Sequence, residues 1–175
     1  MTSKTILIGS PNSGKSLLFN RLTGLNQKVA NFPGITVNIS SGKSIADPEQ
    51  LIMDFPGVYS LRAISAEETV SVEAFYAGIK DPQISSVVCV VDTTRLEKGL
   101  IFAVQVINAC AEYNKPVVIA ANMIDVLNSH GMTMDLEGLA AALKVPVVAI
   151  SAKSGLGLDQ LQDLIADHRE APSAF

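Results

Sequence analysis

The sequence predicts an α/β fold: a mostly parallel six-stranded sheet with one antiparallel edge strand and helices on both faces. Three observations carry that expectation. Short β-rich runs alternate with helical patterns along all 175 residues. The later β-rich runs, "SSVVCVVD", "PVVIAAN" and "PVVAIS", are continuously apolar, as strands covered on both faces are. A glycine-rich turn, residues 9–16, joins the first strand pattern directly to the first helix pattern.

The elements follow in order. "KTILIG" reads as the first strand and "GKSLLFNRL" as the helix it feeds. "GITVNISSGKSIA" and "QLIMDF" flank an Asp47-Pro48-Glu49 turn and read as a hairpin, which supplies the antiparallel edge. A helix should begin near Ser65, because Ser65 and Glu68 have capping-box spacing and apolar residues recur at Val70, Val72 and Phe75. Residues 96–113 and 135–144 read as helices between the last three strands, and "GLDQLQDLIADHR" as the final one. The tail "EAPSAF" carries a helix breaker, so a single domain should span residues 1–169, with 170–175 as a tail.

Composition removes several classes of function. The chain is 48% hydrophobic, but its apolar runs are far shorter than the ~18 residues of a membrane span. No charged leader with a small-residue cleavage site is visible, which argues against secretion. A net charge of −4 gives no basic stripe for nucleic acid. Cys89 and Cys110 lack metal-site spacing and read as buried reduced thiols, while His130 and His168 read as solvated surface residues.

The chemistry lies in a series of short motifs. "GSPNSGKS" matches G-x-x-x-x-G-K-[ST] between a strand and a helix. Such a loop turns backbone N–H groups inward around phosphates and adds the positive end of the helix. Pro11, Asn12, Ser13, Gly14, Lys15, Ser16 and Leu17 are therefore candidate phosphate-binding residues. Lys15 would reach the β- and γ-phosphates, and the Ser16 hydroxyl would ligate magnesium. Thr36 in "NFPGITV" lies where a first switch loop could close on magnesium and the γ-phosphate. In "DFPGVYSL", Asp54 would hold magnesium through water and the Gly57 N–H would face the γ-phosphate.

"NMID", residues 122–125, and "SAK", residues 151–153, each end a strand, the place where α/β sheets bind ligands. Asp125 can accept from both N1–H and the exocyclic amine of guanine, a donor pair that adenine lacks. Asn122 can bridge the loop and face the N7/O6 edge, and the Ala152 N–H can donate to O6. Asn122, Met123, Asp125, Ser151, Ala152 and Lys153 form the candidate base site, and GTP or GDP is the expected ligand. Val58 raises a difficulty. It follows Gly57 where many such proteins carry a glutamine that orients the attacking water.

These residues resemble the translation-factor-related GTPases, and more narrowly the cytoplasmic G domain of the FeoB ferrous iron transporters. The resemblance covers residues 4 to about 169 and rests on "GSPNSGKSLLFNRLTG", "NFPGITV" and "DFPGVYSLRAISAEE". Ser10 stands where the family usually has asparagine and Asn38 where an acidic residue is frequent, while Met123 replaces the lysine of the general Asn-Lys-x-Asp motif, though methionine there is common in FeoB. A methionine thioether can still cover a guanine face.

The resemblance implies a Ras-like P-loop GTPase fold, magnesium-dependent GTP hydrolysis and a role in Fe(II) uptake. It implies that the chain is an excised or truncated N-terminal domain, itself soluble. In the full-length transporter it would lie at the cytoplasmic face of the inner membrane, joined to a membrane domain, with small Feo accessory proteins as possible partners. It also implies an answer to the difficulty at Val58. In potassium-activated relatives, a phosphate-loop asparagine helps hold a monovalent cation against the phosphates. Asn12 matches that asparagine, with Asn31 as a further potassium ligand, so Asn12, Lys15, Thr36 and Gly57 form the implied catalytic set. A soluble ribosome-assembly or tRNA-modification GTPase, and a GTP-binding regulator with negligible turnover, remain open at this point.

Overall fold

The computed structural model of the protein describes residues 2–31 and 36–170. Seven strands form one sheet: β1 (Ser3–Gly9), β2 (Gln27–Asn31), β3 (Asn38–Lys43), β4 (Gln50–Asp54), β5 (Ile84–Asp92), β6 (Val117–Asn122) and β7 (Val147–Ala149). Their spatial order is β2-β3-β4-β1-β5-β6-β7. From β4 to β7 every pairing is parallel, while β3 runs antiparallel to both β2 and β4.

The count is seven, one more than the sequence pattern suggests. The additional strand, β2, has the sequence "QKVAN". Its Val29 is 68% exposed, and among the described residues it pairs with β3 alone. A polar edge strand buries too little to show an apolar alternation, so it reads as loop. The expected hairpin is present as β3 and β4. It is closed by a turn in which the Asp47 carboxylate accepts from the Glu49 N–H at 3.0 Å.

Among the described residues six α-helices cover the sheet: α1 (Lys15–Thr23), α2 (Ala66–Lys80), α3 (Leu96–Glu112), α4 (Ile124–Ser129), α5 (Leu136–Leu143) and α6 (Leu158–Glu170). The expected start at Ser65 is realised, with the Ser65 side chain accepting from the Glu68 N–H and the Glu68 side chain accepting from the Ser65 N–H. The six-residue α4 has no counterpart in the sequence reading, because it is too short to show a helical period.

Successive strand side chains point to opposite faces, and this sorts the core into two layers. Ile6 and Ile8 of β1 pack with Val87, Cys89 and Val91 of β5 beneath α2 and α3, where Phe75 and Phe102 are buried. Leu7, Val88 and Val90 face the other way, onto Leu18, Phe19 and Leu22 of α1 and Leu161 and Ile165 of α6. Cys89 and Cys110 both lie in the first layer as free thiols, and burial pushes the Cys110 thiol up to about 12. His130 is exposed as expected. His168 is half-buried instead, and burial lowers its pKa. Among the described residues no helix is long and apolar enough to cross a membrane.

Candidate functional site

The motifs meet along the C-terminal ends of the parallel strands, where β1 feeds the phosphate loop, β4 ends at Asp54 and β6 ends at Asn122. Asn12 takes a left-handed conformation with φ 67°, which asparagine tolerates better than most residues. Gly14 follows at φ 85°, and a Cβ there would stand 2.2 Å from the Asn122 amide nitrogen. Only glycine fits. The loop and Gly57 line a cavity of about 310 Å³. Ser10, Pro11 and Asn12 also border a second cavity of about 590 Å³, which extends past Tyr59 to the start of α3.

Lys15 and Asp54, 39 residues apart in sequence, form an ion pair with both side chains largely buried. The loop that follows β4, which includes Gly57 and is the expected second switch, docks on the phosphate loop itself, since the Val58 N–H donates to the Gly9 carbonyl at 3.2 Å. A Cβ on Gly57 would stand 3.1 Å from the Pro11 nitrogen, so the close approach depends on glycine here too. Farther along the switch, the Gln105 side-chain oxygen accepts from the Ser60 hydroxyl at 3.1 Å and from the Leu61 N–H at 2.7 Å. No sequence motif pointed to Gln105.

Val58 is 2% exposed and belongs to the core layer beneath α2 and α3. Its side chain is a packing element turned away from solvent. Val58→Ala should therefore lower stability by about 1.5–3 kcal/mol, through two lost methyl groups and the cavity they leave. Any hydrolysis should stay near the parent rate. Thermal denaturation alongside a phosphate-release assay checks both; a strong loss of rate at unchanged stability would contradict the packing role.

On the base side, Asn122 is 2% exposed and ties two loops together. Its amide nitrogen donates to the Ser13 carbonyl at 2.9 Å, and its amide oxygen accepts from the Ala152 N–H at 3.0 Å. The bridging role expected of Asn122 is thus present. The Ala152 N–H expected to meet O6 is engaged by Asn122, so a contact to a base would have to share that donor. Met123 opens α4 at φ 65°, and its terminal methyl carbon lies on the Gly14 side of the phosphate loop. Asp125 is half-buried, and its carboxylate forms no hydrogen bond with other described residues. Ser151 is fully buried, whereas Lys153 is exposed.

Thr36 is exposed at the near end of β3, and Ser16 and Leu17 are exposed at the start of α1. Asn31 closes β2, and residues 32–35, the rest of the expected switch, lie outside the described residues. The donor set suits magnesium. Ser16 and Thr36 offer hydroxyls and Asp54 a carboxylate, and no group of three or more His, Cys, Asp or Glu forms a protein cage among the described residues. Magnesium is commonly held in this way, by one or two carboxylates and substrate phosphates. For a monovalent cation, Asn12 is exposed and lines both cavities.

A family model described as Ferrous iron transport protein B matches residues 3–165. Among curated proteins, the Fe(2+) transporter FeoB of Leptospira biflexa is 37% identical over 168 residues, covering 95% of this chain and 23% of the relative. Its counterpart in Escherichia coli strain K12 is 34% identical over 157 residues, covering 89% of this chain and 20% of the relative. The chain thus spans about a fifth of the length of these relatives. Among solved structures, S. thermophilus NFeoB bound to GDP.AlF4- and K+ matches with a TM-score of 0.79 at 40% identity, over 99% of this chain and 65% of that one. A mutant of the same protein bound to mGDP matches with a TM-score of 0.82 at 40% identity, over 95% of this chain and 61% of that one.

Proposed function

The chain belongs to the ferrous iron transport protein B family, and we propose that it is the GTP-binding and GTP-hydrolysing switch domain of an Fe(II) transporter. One observation carries the reading. Lys15 of the phosphate loop and Asp54 of the second switch face each other as an ion pair, with Gly57 seated on that same loop. A buried ion is costly without a partner, so the pair opens only when each member gains another. Lys15 would then turn to the β- and γ-phosphates, and Asp54 would hold magnesium through water.

Ser16 and Thr36 would hold the magnesium directly, and the metal, when bound, neutralises charge on the phosphate oxygens. Asn12 would hold potassium, which supplies positive charge that Val58 cannot. Asp125 would read the guanine edge from the first turn of α4, with Met123 beside the base and Ser151, Ala152 and Lys153 forming the loop around O6. That S. thermophilus relatives were solved with mGDP and with GDP.AlF4- and K+ supports a guanine-nucleotide site. The family match removes the ribosome-assembly and tRNA-modification alternative.

In the full-length transporter the domain would act from the cytoplasmic face of the inner membrane on a membrane portion of the same polypeptide. Small Feo accessory proteins are proposed as further partners of that assembly.

The test is hydrolysis of GTP with magnesium and potassium present. Activity should be lost when EDTA removes magnesium, and excess ATP should not compete. Thr36→Ala should slow single-turnover hydrolysis by about tenfold, the scale of one lost contact to a charged group, with little change in GDP affinity. A Thr36→Ala rate equal to the parent's removes Thr36 from the site.

A further inference from the structure

Arg21 lies in α1, outside every motif, yet its guanidinium reaches the loop after β7. Its Nε donates to the Ala152 carbonyl at 2.9 Å, and a terminal nitrogen donates to the Lys153 carbonyl. On its other side this loop is held by Asn122, which accepts from the Ala152 N–H and donates to Ser13 of the phosphate loop. Because α1 starts at Lys15, these contacts close a circuit: phosphate loop, Asn122, base loop, Arg21, and back along the helix.

The links of the circuit are unequal. Ser13, Asn122 and Ala152 are each at most 2% exposed, so water has little access to their bonds. The base loop is also stapled internally, with Gly155 N–H to the Ser151 carbonyl at 2.8 Å and Ser151 N–H to the Leu156 carbonyl at 2.9 Å. It should therefore move as a unit. Arg21 is exposed and forms the link most open to solvent.

We propose that Arg21 is a positioning residue that sets how long a guanine nucleotide stays bound, by holding the loop of Ser151 to Lys153 against α1. The proposal rests on the guanine-nucleotide site argued above. A planar guanidinium can aim two N–H groups at successive carbonyls, whereas a lysine ammonium presents a point charge on a flexible stem. The guanidinium is spent on the base loop, so its loss should appear in release and not in the chemical step.

The experiment is stopped-flow release of mant-GDP, chased with excess unlabelled GDP, from the parent, Arg21→Ala and Arg21→Lys proteins. Release from Arg21→Ala should be roughly five- to tenfold faster, as expected for weakening an exposed charge-assisted contact, with Arg21→Lys intermediate. KM for GTP should rise, while the single-turnover rate at saturating GTP changes less than about twofold. Equal release from parent and Arg21→Ala overturns the proposal. So does faster release accompanied by a matching fall in both single-turnover rate and melting temperature, which would mark a general structural role. A parent protein that fails to bind mant-GDP instead overturns the nucleotide-site reading itself.

Discussion

Asn12→Ala is expected to lower GTP hydrolysis in potassium by about a hundred- to a thousandfold, toward the rate in sodium. That is the scale of losing one element that stabilises developing transition-state charge. Among the described residues, the two side chains nearest that role in sequence are both engaged elsewhere. Val58 is packed in the core, and Lys15 is paired with Asp54. Asn12, in its left-handed conformation, is exposed and lines both cavities. Ground-state GTP affinity should change much less, because the interaction belongs to the transition state. The measurement compares parent and Asn12→Ala hydrolysis at matched ionic strength in each salt. Equal parent rates in potassium and sodium would end the cation reading.

Asp125→Asn is expected to weaken GTP binding by about 10²- to 10⁴-fold and to shift preference toward xanthine nucleotides. The carboxylate offers two acceptors to the N1 and N2 donors, each worth about 1.5–3 kcal/mol as a bond to a charged group. An amide replaces one acceptor with a donor, which suits the additional carbonyl of xanthine. Asp125 has no described protein partner to release, so its acceptors are free for the base. Titration with mant-GTP and mant-XTP decides the matter, and unchanged GTP affinity would place Asp125 outside the base site.

The phosphate loop was legible in the sequence because its geometry restricts residue types. Gly14 must lack a Cβ beside Asn122, and Lys15 must follow it into the helix. Asn122 was legible for a similar reason, standing where an apolar strand stops. The links between motifs were not. Nothing in the spacing of Lys15 and Asp54 indicates that they pair, since that contact depends on β4 lying beside β1. Arg21 and Gln105 were invisible because each meets a loop distant in sequence, Arg21 through two carbonyls and Gln105 through the Leu61 N–H and the Ser60 hydroxyl, and such contacts impose no spacing pattern. The inward turn of Val58 was equally hidden, because the chain after Gly57 follows neither a helical nor a strand period. Strand β2 went unread because a polar edge strand needs no apolar face.

The burial of Val58 also bears on how this catalytic strategy can change over evolutionary time. A single substitution to glutamine at position 58 would not install a water-orienting group. It would place an amide among Phe55, Phe75 and their neighbours, with a penalty of about 1–3 kcal/mol for each unmet hydrogen bond. Reaching a glutamine-based mechanism would require the switch backbone to turn that side chain outward while the core beneath α2 and α3 refills. The intermediates on that route would lose stability before they gained a water-orienting group, so an inward residue here resists replacement by single steps.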